Sequence, residues 1–151
     1  MRAGYDDPLL ADFVAQLDEV FALAEASPGF VWRLRTDDDA AIARRVFGDP
    51  LVLFNVSVWE SLEALRTFVY AGRHLEVMRA RAKWFRPLEG PAFALWWIPA
   101  GTLPSVEEGA ARLERLARHG PGPEAFTFRE PFPPPARSAP AGANPVGPGV
   151  C

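Results

Sequence analysis

Leu51-Val52-Leu53-Phe54-Asn55-Val56-Ser57-Val58-Trp59 is the stretch on which the fold turns. Side chains alternate across a β-strand, so Val52, Phe54, Val56 and Val58 share one wholly apolar face. Leu51, Leu53, Asn55, Ser57 and Trp59 share the other, which is apolar at its ends and polar in its middle. Both faces are expected to be covered, the second by something less greasy than the first.

Upstream of this strand, Thr36 to Pro50 reads as a polar, turn-rich connection, with Asp37-Asp38-Asp39 and Gly48-Asp49-Pro50 as breakers. Phe30 to Arg35 alternates again: Phe30, Trp32 and Leu34 on one side, Val31, Arg33 and Arg35 on the other, which predicts a strand. Asp7-Pro8 opens a helix whose stripe is Leu10, Phe13, Val14, Leu17, Phe21 and Ala24, and Ser27-Pro28-Gly29 ends it. Downstream, Ser61 caps a second helix with Leu62, Leu65, Phe68 and Val69 on its buried stripe. Gly72 is a weak point, the stripe resumes through Leu75, Met78, Ala82 and Phe85, and Pro87 stops it. Phe93 to Ile98 predicts a further strand. Ser105-Val106-Glu107-Glu108 is a capping box for a third helix that runs to about His119 before Gly120-Pro121. Ala125 to Arg129 is a short strand or extended arm. The last 21 residues hold seven prolines and no acidic residue, so residues 131–151 are expected to be a disordered tail behind a domain of residues 1–130.

Bulk properties remove several classes of function. The chain has 16 basic and 19 acidic residues and a formal charge of -3, without the clustered cations of a nucleic-acid surface. No apolar run approaches the roughly 20 residues that span a bilayer, and Met1 to Asp7 has no signal-peptide core, so a cytoplasmic domain is expected. Cys151, the sole cysteine, cannot form an internal disulfide and reads as an exposed thiol. Phosphate-cradling loops, nucleophile elbows, Cys-x-x-Cys and His-Glu-x-x-His are all missing, and His74 and His119 lie on different elements, so no metal site is expected.

The order helix, strand, strand, helix, strand, helix is a ferredoxin-like unit without its first strand. Several segments in this order carry a resemblance: Asp6-Asp7-Pro8, Ser27-Pro28-Gly29-Phe30-Val31-Trp32-Arg33-Leu34, Asn55-Val56-Ser57-Val58-Trp59-Glu60-Ser61, Phe68-Val69-Tyr70 with His74, Trp84-Phe85, Leu95-Trp96-Trp97-Ile98-Pro99-Ala100-Gly101, and His119-Gly120-Pro121 with Ala125-Phe126-Thr127-Phe128. From Asp6 to Phe132 the chain resembles the bacterial domain-of-unknown-function family 3291. The resemblance implies the dimeric α/β-barrel superfamily, an α+β fold in which two antiparallel sheets packed on helices meet face to face. It also implies a strand ahead of Asp6, which is absent or shortened here. Relatives in that superfamily include cofactor-free monooxygenases and haem-binding enzymes. On this view Val52, Phe54, Val56 and Val58 suit the helix side, and Leu53, Asn55, Ser57 and Trp59 suit a barrel interior closed by a second copy.

Particular residues stand out as candidates. His74 shares a helix face with Tyr70, Met78 and Arg81; a neutral imidazole there could move a proton, with Tyr70 in support, or ligate haem. The plainer reading is a histidine bonded to Tyr70 or to a backbone carbonyl. Trp32, Asn55, Ser57, Trp59 and Trp97 would line a mostly apolar cavity with a few convergent polar groups, or they pack as core. Arg81, within the cluster of Arg73, Arg79, Lys83 and Arg86, would meet a carboxylate at the cavity mouth, or belongs to a solvated face. The leading expectation is a homodimer that binds a small apolar or aromatic molecule and, if it is an enzyme, acts in a monooxygenase-like way without a resident cofactor. A haem protein using His74 and a non-catalytic binding or interaction module are the alternatives.

Overall fold

The computed structural model describes residues 1, 7–87 and 89–136 and the backbone of 147–150. A 3-10 turn at Pro8–Leu10, in which Leu10 N–H donates to the Asp7 carbonyl at 2.9 Å, leads into α1, Ala11–Glu25. Phe13, Val20 and Ala24 bury one side of α1. Gly29, at φ 81°, turns the chain into β1, Phe30–Arg33. Only glycine fits there: a Cβ would stand 2.6 Å from the Ala64 Cβ, and the Gly29 carbonyl accepts from Glu60 N–H at 2.7 Å.

The connection expected to be loop contains α2, Asp39–Phe47. The acidic run is its cap rather than a turn: the Asp38 carboxylate accepts from Ala41 N–H at 2.9 Å. Arg44 and Arg45 lie in the last turn, where cations are favoured, and Gly48 closes it at φ 75°. The long strand is shorter than its pattern: β2 is Val56–Trp59, and 51–55 approach it without a ladder. Helix two is two helices, α3 (Leu62–Val69) and α4 (Gly72–Ala80), broken at Tyr70-Ala71. Ser61 caps α3 through Ala64 N–H at 3.1 Å. The segment expected as a strand at 93–98 is largely buried and, instead of a continuous ladder, makes isolated bridges, among them Leu95 with Phe126 through hydrogen bonds of 2.9 and 2.8 Å. α5 is Val106–His119, capped as predicted by Ser105, which accepts from Glu108 N–H at 3.1 Å. The second half of the capping box is diverted: the Glu108 carboxylate accepts from Trp96 Nε1 at 3.1 Å and from Arg112 at 3.2 Å.

β1 and β2 are antiparallel, and their register slips between Phe30 and Trp32. This irregularity at Val31 breaks the simple alternation, because one extra residue moves the later side chains to the other face. Phe30 lies edge-on to Trp59 at 5.4 Å, whereas Trp32 and Leu34 join the cluster of Val56 and Val58. The far edge of β2 pairs antiparallel with β3, Gly147–Val150, giving the order β1-β2-β3.

The architecture is therefore α+β, with helices on both faces of the sheet. Phe54, Val56 and Val58 pack with Ala43 of α2 and Val106 of α5, together with Trp96 and Ile98. Leu53 and Trp59 pack with α1, α3 and α4 through Phe13, Leu65, Phe68 and Val77. This revises the expected sidedness. Ser57 and Trp59 do not wait for a second subunit; the chain's own helices bury them, Trp59 to 1% exposure. Within the proline-rich stretch, Phe132 packs against the Trp59 cluster and residues 147–150 are strand. Residues 137–146 and Cys151, which carry the rest of that expectation, lie outside the described residues, as do residues 2–6, where a shortened first strand would fall.

Candidate functional site

Three of the predicted residues form one buried line. Trp59 Nε1 donates to Ser57 Oγ at 3.0 Å, two residues apart on the same strand face. The Trp59 ring stacks on Phe68 of α3 at 5.2 Å, and Phe68 meets the His74 ring at 4.9 Å. His74 is 9% exposed, and its Nδ1 lies 3.0 Å from the Val69 carbonyl oxygen. A carbonyl only accepts, so Nδ1 carries the proton and Nε2 the lone pair of the neutral ring. Burial pushes the His74 pKa below its ordinary value, against a smaller opposing effect of the Val69 bond. The histidine bonded to a backbone carbonyl is thus the arrangement found, although in a buried setting. With Nδ1 committed to Val69 and one side of the ring against Phe68, Nε2 is the ring nitrogen left to meet any ligand.

The other predicted residues are dispersed. Trp32 is across the sheet from Trp59, because of the slip at Val31. Tyr70 is exposed and leans edge-on against Phe128 at 5.4 Å, not against His74. Trp97 Nε1 donates to the Phe132 carbonyl at 2.9 Å, which anchors the chain after α5. Arg81 is exposed in a 3-10 turn, Arg81–Lys83, beyond α4. Arg73 of the same basic cluster pairs with Glu19 and Glu76, each at 3.0 Å. Within the chain, among the described residues, these side chains do not converge, and aromatic packing fills the space around Trp59.

Asn55 instead opens onto a groove of about 230 Å³ between α1 and the sheet. Leu17, Phe21 and Leu53 give it apolar walls; Arg33, Arg35 and Thr36 bring polar groups from the end of β1. A second depression of about 380 Å³ adjoins it, sharing Arg33 and Arg35 and reaching Phe30 and Trp32. The arginines are held by one carboxylate oxygen: Glu25 Oε1 accepts from Arg33 Nε at 2.6 Å and from Arg35 at 2.7 Å. The bond from Arg33, foremost, keeps the Glu25 carboxyl below its ordinary pKa. The Arg33 guanidinium also lies 4.2 Å from the centre of the Phe21 ring. Arg35 is 70% exposed at the rim, while Asp18 and Asp39 provide acidic groups. Sequence reasoning noted Arg33 and Arg35 only as the polar side of a strand. Their position two residues apart, before a polar turn and beside Asn55 of the neighbouring strand, was the available signal.

Among the described residues no group of three or more His, Cys, Asp or Glu is placed to hold a metal ion, and no helix is long and apolar enough to cross a membrane. Residues 1–142 match a family model described as a domain of unknown function, DUF3291. No curated protein and no solved structure matches the chain.

Proposed function

The chain belongs to the DUF3291 family, and from that premise we propose that it is a small-molecule-binding protein whose ligand lies in the groove between α1 and the β1–β2 strands. The observation that carries this is Asn55. It stands at the open end of a strand that is otherwise packed on both sides, among the apolar walls of Leu17, Phe21 and Leu53 and next to the donors Arg35 and Thr36. Apolar walls with a few convergent polar groups are how such sites are built. The groove is small, so the ligand is of one- or two-ring size: an apolar or aromatic body with a hydrogen-bond-accepting head. The site is complete within one chain, because the sheet face that argued for a ferredoxin-like two-subunit barrel is covered by α1, α3 and α4.

Binding without chemistry is the form of this reading that the contacts favour. His74 and Tyr70, the groups that would serve a monooxygenase-like reaction, do not line the groove. The test is titration with benzoate and indole-3-acetate, followed by saturation-transfer NMR and calorimetry. Binding should weaken roughly tenfold in Asn55→Ala and in Arg35→Ala, about the worth of one charge-assisted hydrogen bond. It should be unchanged in His74→Gln. Equal affinity in all four proteins would overturn the groove, and loss in His74→Gln alone would return the site to the buried line. Hemin added to the wild type should give no Soret shift that depends on His74.

A further inference from the structure

All four residues of β2 are buried, yet its two edges are held by very different partners. On one edge lies β1, Phe30–Arg33, with large side chains that join both cores. On the other lies β3, Gly-Pro-Gly-Val, which pairs along its whole length: Val56 with Val150, Ser57 with Gly149, Val58 with Pro148 and Trp59 with Gly147. Glycine and proline are poor strand formers, and proline is admitted to sheets essentially at an edge, where its missing N–H is not needed. β3 is the edge of this sheet. A naked edge on a strand as apolar as β2 would be a template for further strands, and a proline-bearing strand laid over it is a known way to blunt such an edge.

We propose that the far edge of β2 is a strand-acceptor site and that the chain's own Gly147–Val150 is its exchangeable occupant, a strap that seals the sheet and can be replaced by another extended segment. The choice of occupant comes from the pairing itself and from its composition. The strap is held by its backbone ladder, so a segment with a full set of N–H donors and better strand propensity competes with it. The proposal does not depend on the ligand groove, which lies toward α1 and β1.

The test locks the strap in the full chain. In the variant Ser57→Cys, Gly149→Cys, Cys151→Ser the two new thiols sit on directly opposed residues, whose Cα atoms in antiparallel strands are about 4.5–5.5 Å apart and within disulfide reach. Oxidation is expected to give a disulfide within one chain, seen as a faster-migrating monomer on non-reducing gels. The probe is a fluorescein-labelled peptide of residues 143–151 carrying Gly147→Thr, Gly149→Thr and Cys151→Ser. It should bind the reduced protein saturably by anisotropy and bind the oxidised protein at least tenfold more weakly. Failure to form the disulfide overturns the strap, as does a disulfide formed only between chains. Equal peptide binding before and after oxidation overturns the acceptor site. Wild-type protein, oxidised in parallel, should bind the peptide as the reduced protein does.

Discussion

Phe54, Val56 and Val58 look onto α2 and α5; Leu53, Asn55, Ser57 and Trp59, one residue out of step, look onto α1, α3 and α4. The first face is closed by aliphatic and aromatic contact alone. The second is closed at Trp59, where the indole finds its acceptor in Ser57, and opens at Asn55, where the strand has not yet begun and α1 leaves a groove. Apolar residues on both sides of a strand therefore do not make the sides equivalent. The dry face can only be packed. The other face carries polar atoms, and each of these is either satisfied inside or brought to solvent.

The contrast can be tested by substitution. Trp59→Ala should be the most damaging change, costing about 3–5 kcal/mol, because it empties the junction of three aromatic rings and leaves a cavity. In urea denaturation that is a large share of the roughly 5–15 kcal/mol that holds a domain together. Val58→Thr keeps the shape but places a hydroxyl on the dry face and should cost ~2 kcal/mol. Ser57→Ala removes the acceptor of Trp59 Nε1 and should cost ~1 kcal/mol. If the order of these two is reversed, the polar middle of the second face matters more than the dryness of the first.

His74 sharpens the comparison through pH. Its pKa is lower folded than unfolded, since burial disfavours the imidazolium. Between the two values the unfolded chain binds more protons, so stability rises with pH in that window. The contribution is fully present above the ordinary histidine value and is lost as the pH falls through that value toward the folded one. One proton limits the slope to about 1.4 kcal/mol per pH unit. The difference between wild type and His74→Gln in denaturation midpoint should therefore shift between pH 7.5 and pH 5, with the wild type losing more on acidification. The smallest effect is expected at the open end: Asn55→Ala should change stability by less than about 0.5 kcal/mol while weakening the binding of benzoate and indole-3-acetate.

Much of this was legible in the sequence. The stripes of α1 and α3, the cap and end of α5, and the alternation of 52–59 depend on local spacing, and the structure agrees with them; α4 instead buries His74 and Val77, about one position off the expected row of Leu75, Met78 and Ala82. What could not be read had non-local causes. The slip at Val31 reverses the side of Trp32 relative to Phe30, and alternation carries no mark of an inserted residue. Asp38 reads as a turn residue until Ile42, Ala43 and Val46 are seen to pack on the sheet, which makes it a helix cap. Ser57 and Trp59 were correctly placed on one face, and His74 belongs to the same line through Phe68. Whether that line bounds a cavity depends on how far Phe68 and the indole fill the space, which spacing does not encode.

At the turn between α1 and β1, position 29 faces Ala64 so closely that the two residues are fitted as a single joint. This has a genetic consequence. Gly29→Ala meets two separate obstacles, a backbone angle of 81° and a methyl group in its way. Only the second can be relieved from a distance. In a selection for folded protein, second-site suppressors of Gly29→Ala should therefore concentrate at codon 64, with Ala64→Gly foremost, and should recover stability in part. The two codons, 35 positions apart, are expected to drift as a pair, the smaller residue at one licensing change at the other.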